Sequence, residues 1–218
     1  MRTAYFDQLD AIVDDLVTLA GLVQQAVGRA THALMTADPH IADQVIADDT
    51  AIDLLREKIE DRAFELLALQ QPVAGDLRTL VAAVRMVADL ERMGDLAVHI
   101  AKVAKLRMPE NAIPEEMQPT LRRMGEVAVH MVGQVSHVIA EKDVEAARTL
   151  ERDDEEMDEL RRRSFRMMLG DSWAYGVEPA IDIALLGRYY ERIADHTVSL
   201  CRRVIYLVTG EVPSAADR

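Results

Sequence analysis

Four pairs of carboxylates stand four residues apart in this chain: Asp49/Asp53, Glu91/Asp95, Asp154/Asp158 and Glu191/Asp195. On a helix that spacing stacks both members of a pair on one face. Like charges so placed repel and cost an isolated helix a few tenths of a kcal/mol, about 0.2–0.5 per pair, whereas a solvated surface favours opposite charges there. Glu91 also falls on an apolar stripe, because Leu77, Val84, Glu91 and Val98 recur in steps of seven. A carboxylate in that setting must find a cation, a donor or water. Two solutions are open at this level. Arg85, Arg92, Arg188 and Arg192 lie close enough in sequence to form salt bridges. Alternatively, two helices bring their carboxylate pairs together around a hard cation, and magnesium, calcium, manganese and iron accept all-oxygen ligands. Gly94 and Ala194, small residues inside the motifs, leave room for a neighbouring helix or a cation.

The helices that must carry these residues are legible from punctuation and period. Breaks fall at Pro39, at 71–75, at Pro109 to Pro119, at 141–143, at 170–179 and at Gly210. Asp38 before Pro39 reads as an N-cap, and Asp143 as another. Between the breaks lie segments of roughly 4–37, 39–70, 73–107, 115–140, 143–169 and 178–209. Ile41, Val45, Ile52, Leu55, Ile59 and Leu66 recur at three- and four-residue steps in the second, the helical signature. No segment alternates strictly enough for a strand. Six long helices joined by short turns predict antiparallel bundles.

The chain repeats itself. Leu90 to Val98 matches Tyr190 to Val198 at an offset of 100, and Asp48 to Arg56 matches Asp153 to Arg161 at an offset of 105. The fold expected is therefore all-α, two tandem homologous three-helix bundles, with a first repeat over 1–108, a second over 115–210 and a tail over 211–218.

Bulk properties narrow the chemistry. Half of the 218 residues are hydrophobic and 4% are aromatic, which suits helices and disfavours a β-sandwich. The formal net charge is −13. That balance disfavours direct nucleic-acid binding and attraction to an anionic membrane surface. It suits metal cations or a basic patch on a protein partner, though an ordinary solvated surface accounts for most of it. Cys201 is the one cysteine; no intrachain disulfide is possible, and a reducing compartment is compatible. No signal-like apolar run follows the N-terminal residues, and no uncharged stretch of about 18 apolar residues occurs, so no membrane insertion is expected.

Several kinds of site are missing from the pattern: no Gly-rich phosphate loop, no Gly-x-Ser-x-Gly and no Cys-x-x-Cys. Among the six histidines, His196 beside Asp195 is the one placed to support a metal ligand. The rival enzymatic reading is a carboxylate-bridged metal oxidase in a helical bundle. Such centres use Glu-x-x-His on two helices, whereas the residues three after Glu91 and Glu191 are Gly94 and Ala194. No enzyme is therefore expected.

Together the duplicated Glu-Arg-(Met/Ile)-(Gly/Ala)-Asp motif at 91–95 and 191–195, Asp76-Leu77-Arg78 ahead of the first copy, and the Asp-x-x-x-Asp partners at 49/53 and 154/158 resemble the PhoU family of phosphate-signalling regulators. The resemblance covers about residues 4–210. The second copy departs from it with Ala194 in place of Gly, and with Gly176-Val177-Glu178 where the lead-in would stand. The resemblance implies a cytoplasmic, non-enzymatic regulator, often a homodimer, that represses phosphate uptake and the phosphate-starvation response when phosphate is ample. It implies an adaptor between the ATPase subunit of a phosphate importer and a sensor histidine kinase. It also implies metal at the eight paired carboxylates, with iron, magnesium, manganese and zinc as candidate ions.

Overall fold

A computed structural model describes residues 2–210. The tail expected over 211–218 lies outside the described residues. Six long helices carry the chain: α1 (Arg2–Thr36), α2 (Pro39–Gln70), α3 (Ala74–Leu106), α4 (Gln118–Glu141), α5 (Val144–Met168) and α6 (Val177–Thr209), with a 3-10 turn at Glu115–Met117 ahead of α4. No strand occurs among the described residues. Asp38 caps α2 by accepting from the backbone N–H of His40 (2.9 Å) and Ile41 (3.2 Å), with Pro39 at the first helical position. Asp143 caps α5 in the same way, accepting from Glu145 and Ala146 at 3.0 Å. Each cap satisfies N–H groups the helix itself cannot. Gly210 closes α6 in the left-handed conformation (φ 74°), which glycine adopts without a Cβ clash.

α1 packs on α2 and α3 to make the first bundle, and α4 packs on α5 and α6 to make the second. The bundles are not separate bodies. α1 also packs on α4 and α3 on α6, so four helices form a shared centre with α2 and α5 flanking it. One continuous apolar core runs through both halves, from Leu16, Leu19 and Val23 on α1 to Leu186, Ile193 and Leu200 on α6. This arrangement explains α1. By length and composition it passes for a helix able to cross a membrane, yet Asp14, Asp15 and Arg29 leave it no uncharged run of about 18 residues, as expected from the sequence. In the fold its apolar residues are those that meet three other helices.

Two polar clamps hold α3 antiparallel to α6. Near one end, the buried Asp89 accepts from Arg203 Nε at 2.9 Å and from Ser199 Oγ at 3.3 Å, and lies 3.0 Å from His196 Nδ1. Burial opposes ionisation of Asp89, but the bonds from His196 and Arg203 and the Arg203 charge outweigh it, holding the carboxyl below its usual range. Its contribution to stability is thus present above the unfolded-state value, about 3.9, and is lost as pH falls through the lower folded-state one. At the other end Arg107 pairs with Asp182 at 2.7 Å and with Glu178. Between the clamps His99 stacks on Tyr189, ring centroids 5.3 Å apart.

Candidate functional site

The outer groove between α2 and α3 gathers Asp49, Asp53, Glu91 and Asp95. The groove between α5 and α6 gathers Asp154, Asp158, Glu191 and Asp195. Helix register does this. α2 runs antiparallel to α3 with Ile52 against Gly94, where an added Cβ would lie 3.0 Å from Ile52 Cδ1 and 3.4 Å from Asp49 Oδ1. The missing side chain at Gly94 thus lets Asp49 approach the α3 carboxylates. Ala194, fully buried, holds the matching place in the second half.

Electrostatics show how closely each set interacts. Asp49 is raised to about 6, by burial first and then by the charges of Asp53, Asp95 and Glu91. Asp154 is raised to about 6 by burial and by Asp195, Asp158 and Glu191. Burial, then the neighbouring carboxylate of its own pair, also raises Glu91 and Asp195. The sequence thus brings all eight residues into two quartets, one per half.

Arginines answer part of this charge. Arg92 reaches Asp95 at 3.1 Å and Glu91 at 3.6 Å. Glu191 lies between Arg188 at 2.6 Å and Arg161 at 3.1 Å. Arg161 was not legible as a partner, although the repeat places it opposite Arg56. Arg56 turns instead to Glu60 at 2.7 Å and Glu57 at 3.4 Å. The Nε of each of these two arginines is buried without a hydrogen bond. Arg85 and Arg192, the other expected partners, form no ion pair among the described residues, and neither do Asp49, Asp53, Asp154, Asp158 or Asp195. One arginine thus serves two carboxylates of the first quartet, and two arginines serve one carboxylate of the second.

Among the described residues no three His, Cys, Asp or Glu side chains converge closely enough to close a metal cage. The donor chemistry nevertheless fits a hard cation: eight carboxylates in two sets, each destabilised by its own like charges. His196 bonds Asp89 on α3 rather than Asp195, although its charge still acts on the Asp195 carboxyl. Cys201 is a core residue whose thiol burial pushes up to about 12, far from a reactive thiolate.

The raised carboxyls predict a pH dependence. A carboxyl with a raised folded-state value binds its proton more tightly folded than unfolded, so stability falls as pH rises from about 4 to about 6. Two pK units correspond to roughly 2.7 kcal/mol per group. For groups this open to solvent, screening leaves on the order of 1 kcal/mol each. Thermal unfolding of metal-free protein should therefore show a lower Tm at pH 7 than at pH 5, and millimolar Mn²⁺ should recover the loss at pH 7. A flat profile over this window would contradict the quartet electrostatics.

The described residues form a twofold-repeated three-helix bundle with a set of four interacting carboxylates between α2 and α3 and a second between α5 and α6. Comparison with known proteins gives it a family. The PhoU domain model matches residues 16–104 and again 121–204. A "Phosphate-specific transport system accessory protein PhoU homolog 2" from Mycobacterium tuberculosis (strain ATCC 25618 / H37Rv) is 46% identical over 213 residues, covering 98% of this chain and 100% of that protein. A "PhoU homolog 1" from Mycobacterium leprae is 45% identical, covering 98% and 96%. The crystal structure of PhoU from Pseudomonas aeruginosa superposes with a TM-score of 0.86 at 29% identity, over 95% of this chain and 100% of that one. The chain belongs to the PhoU family.

Proposed function

We propose that this chain is a cytoplasmic, non-catalytic negative regulator of phosphate uptake and of the phosphate-starvation response. It works as an adaptor, binding the ATPase subunit of a phosphate importer and a sensor histidine kinase, and it does so as a homodimer. The observation that carries this reading is full-length similarity to proteins named as accessory to phosphate-specific transport, at 42–46% identity in mycobacteria. The two grooves support it, because they offer charged binding surfaces and no reacting group.

Divalent or ferric ions belong to the proposal as ligands of the quartets. Asp49, Asp53, Glu91 and Asp95 hold one site, and Asp154, Asp158, Glu191 and Asp195 the other. A bound ion supplies positive charge where the carboxylates repel each other. Arg92, Arg161 and Arg188 supply some of that charge when no ion is present, and the carboxylates they hold must turn inward to take one.

Deleting the gene, together with any second family member in the same cell, should switch phosphate-uptake genes on in phosphate-rich medium. A transcriptional reporter reads this directly. Repression that persists in the deletion strain counts against the regulatory reading.

A further inference from the structure

Ten of the fourteen large apolar side chains exposed among the described residues lie at two places, the α2–α3 and α5–α6 hairpin ends. They include Phe64, Leu77 and Val81 in the first half, and Leu169, Val177 and Ile181 in the second. Leu77 and Val81 are each 41% exposed; Val177 and Ile181 are 75% and 53% exposed. These positions correspond through the repeat. An offset of 100 carries Leu77 and Val81 onto Val177 and Ile181, and an offset of 105 carries Phe64 onto Leu169. A single exposed apolar side chain needs no explanation. Exposed apolar side chains repeated at the same positions in two diverged copies mark a contact surface.

Each stripe continues into its quartet. On α3, Val81, Ala88 and Asp95 recur at seven-residue steps and so share a face, as Ile181, Arg188 and Asp195 do on α6. Fourteen residues separate Val81 from Asp95 and Ile181 from Asp195, a rise of about 21 Å. Each outer groove is thus apolar at the hairpin end and acidic about four turns further on. The chain as a whole carries −13; among the described residues Asp49, Asp53, Asp154 and Asp158 form no ion pair, and the charges of Lys102 on Asp49 and Arg202 on Asp154 are outweighed by burial and the neighbouring carboxylates.

We propose that each groove docks a cationic amphipathic helix of a partner protein, with its apolar side chains on the exposed stripe and its Lys and Arg side chains on the quartet. This rests on the adaptor reading above and gives the partner its chemistry. A helix laid in a groove through i, i+4 and i+7 anchors is an established mode of peptide recognition, and opposite charge fixes which way round it lies. Because α3 and α6 are antiparallel, the two docked helices run in opposite directions, as two copies from a twofold-symmetric partner would. The halves differ in balance. Leu185 replaces Arg85, and two arginines already hold Glu191, so the second groove binds with more apolar contact and less salt dependence. An ion on a quartet competes with the helix for the same carboxylates.

The test uses the full chain and a dye-labelled synthetic 18-residue helix, with leucines on one face of its first half and lysines on that face of its second half. Fluorescence anisotropy should show two peptides bound per chain, weakening with salt and with added Mn²⁺. A glutamate-for-lysine version should not bind. Leu77→Asp with Val81→Asp should weaken one site at least about tenfold, and Val177→Asp with Ile181→Asp the other. Trp173 is the only tryptophan and lies in the α5–α6 loop, so its emission should follow the second site alone. Leu106→Asp, at an exposed position at the far end of α3, should change nothing. Circular dichroism confirms that the variants stay folded.

Absent binding, or binding that all these variants leave unchanged, overturns the proposal. So does a wild-type dimer that the stripe variants convert to monomer in sedimentation, which would give the stripes to a second copy. Flotation with phosphatidylcholine/phosphatidylglycerol vesicles that the stripe variants abolish would give them to a lipid surface, with the same consequence. A chain carrying all four Asp substitutions that no longer binds peptide yet still restores repression overturns the docking surface while leaving the regulatory reading intact. Failure of the gene deletion to release repression sinks that reading separately.

Discussion

Replacing Asp49 with Asn and Glu91 with Gln together should weaken Mn²⁺ binding by at least about a hundredfold, while the metal-free variant unfolds at a higher temperature than the parent. The two effects have one cause. Asp49 is held near 6 by burial and by three neighbouring carboxylates, so at pH 7 its charge costs the fold energy. Removing that charge relieves the repulsion by on the order of 1 kcal/mol after solvent screening, which raises Tm by roughly 2–4 °C in a chain of this size. The same charge is what a cation needs, and losing a ligand or its support costs about 10–100-fold in affinity. The matching pair in the second half, Asp154→Asn with Glu191→Gln, should remove the weaker of two binding events, because Arg161 and Arg188 already occupy Glu191. Calorimetric titration separates the two sites. A loss of stability with no loss of metal binding would mean that the carboxylates serve the fold and not a ligand.

Tyr190→Ala should destabilise the chain by about 3–5 kcal/mol, the usual cost of deleting a fully buried aromatic side chain. Tyr190 is completely buried on α6, and its hydroxyl lies 2.9 Å from Thr31 Oγ1 on α1. It therefore ties the last helix of the second half to the first helix of the first. Tyr190→Phe keeps the ring and loses the hydrogen bond, at about 1 kcal/mol. Far-UV circular dichroism during heating should show a Tm lower by roughly 10 °C for the alanine variant, with one transition. Two separate transitions in the wild-type chain would mean that the halves unfold independently, against the single core seen here.

The six helices were legible because each carries its own period and punctuation. Asp38-Pro39 and Asp143 announce helix starts that the structure caps as expected, and Gly210 a stop. The quartets were legible because a four-residue carboxylate spacing, duplicated at matching offsets, is costly unless something uses it. The sharing of one core was not legible. The repeat marks two equivalent units, but nothing local in α1 says that it packs against α4 as well as against its own bundle. Asp89 carries a signal in the sequence: Ala82, Met86, Asp89, Met93 and Leu96 recur at three- and four-residue steps, and Asp89 is the one polar member. Leu77 stands on the apolar stripe of α3 yet is 41% exposed, because it shares an outward face with Val81 while Leu80 and Ala83 beside it take the core-facing positions. The Arg161–Glu191 pair depends on side-chain direction, which repeat register alone does not set: Arg56, its counterpart, turns the other way.

On the function proposed above, the carboxylate quartets of this PhoU-family chain carry its phosphate-dependent regulation. Its most direct test is transcription from a phosphate-uptake promoter in phosphate-rich medium, in a deletion strain expressing either the wild-type chain or a folded chain with Asp49→Asn, Glu91→Gln, Asp154→Asn and Glu191→Gln. The account predicts repression restored by the wild-type chain and not by the quartet variant. Equal repression by both, at equal protein levels, would contradict it.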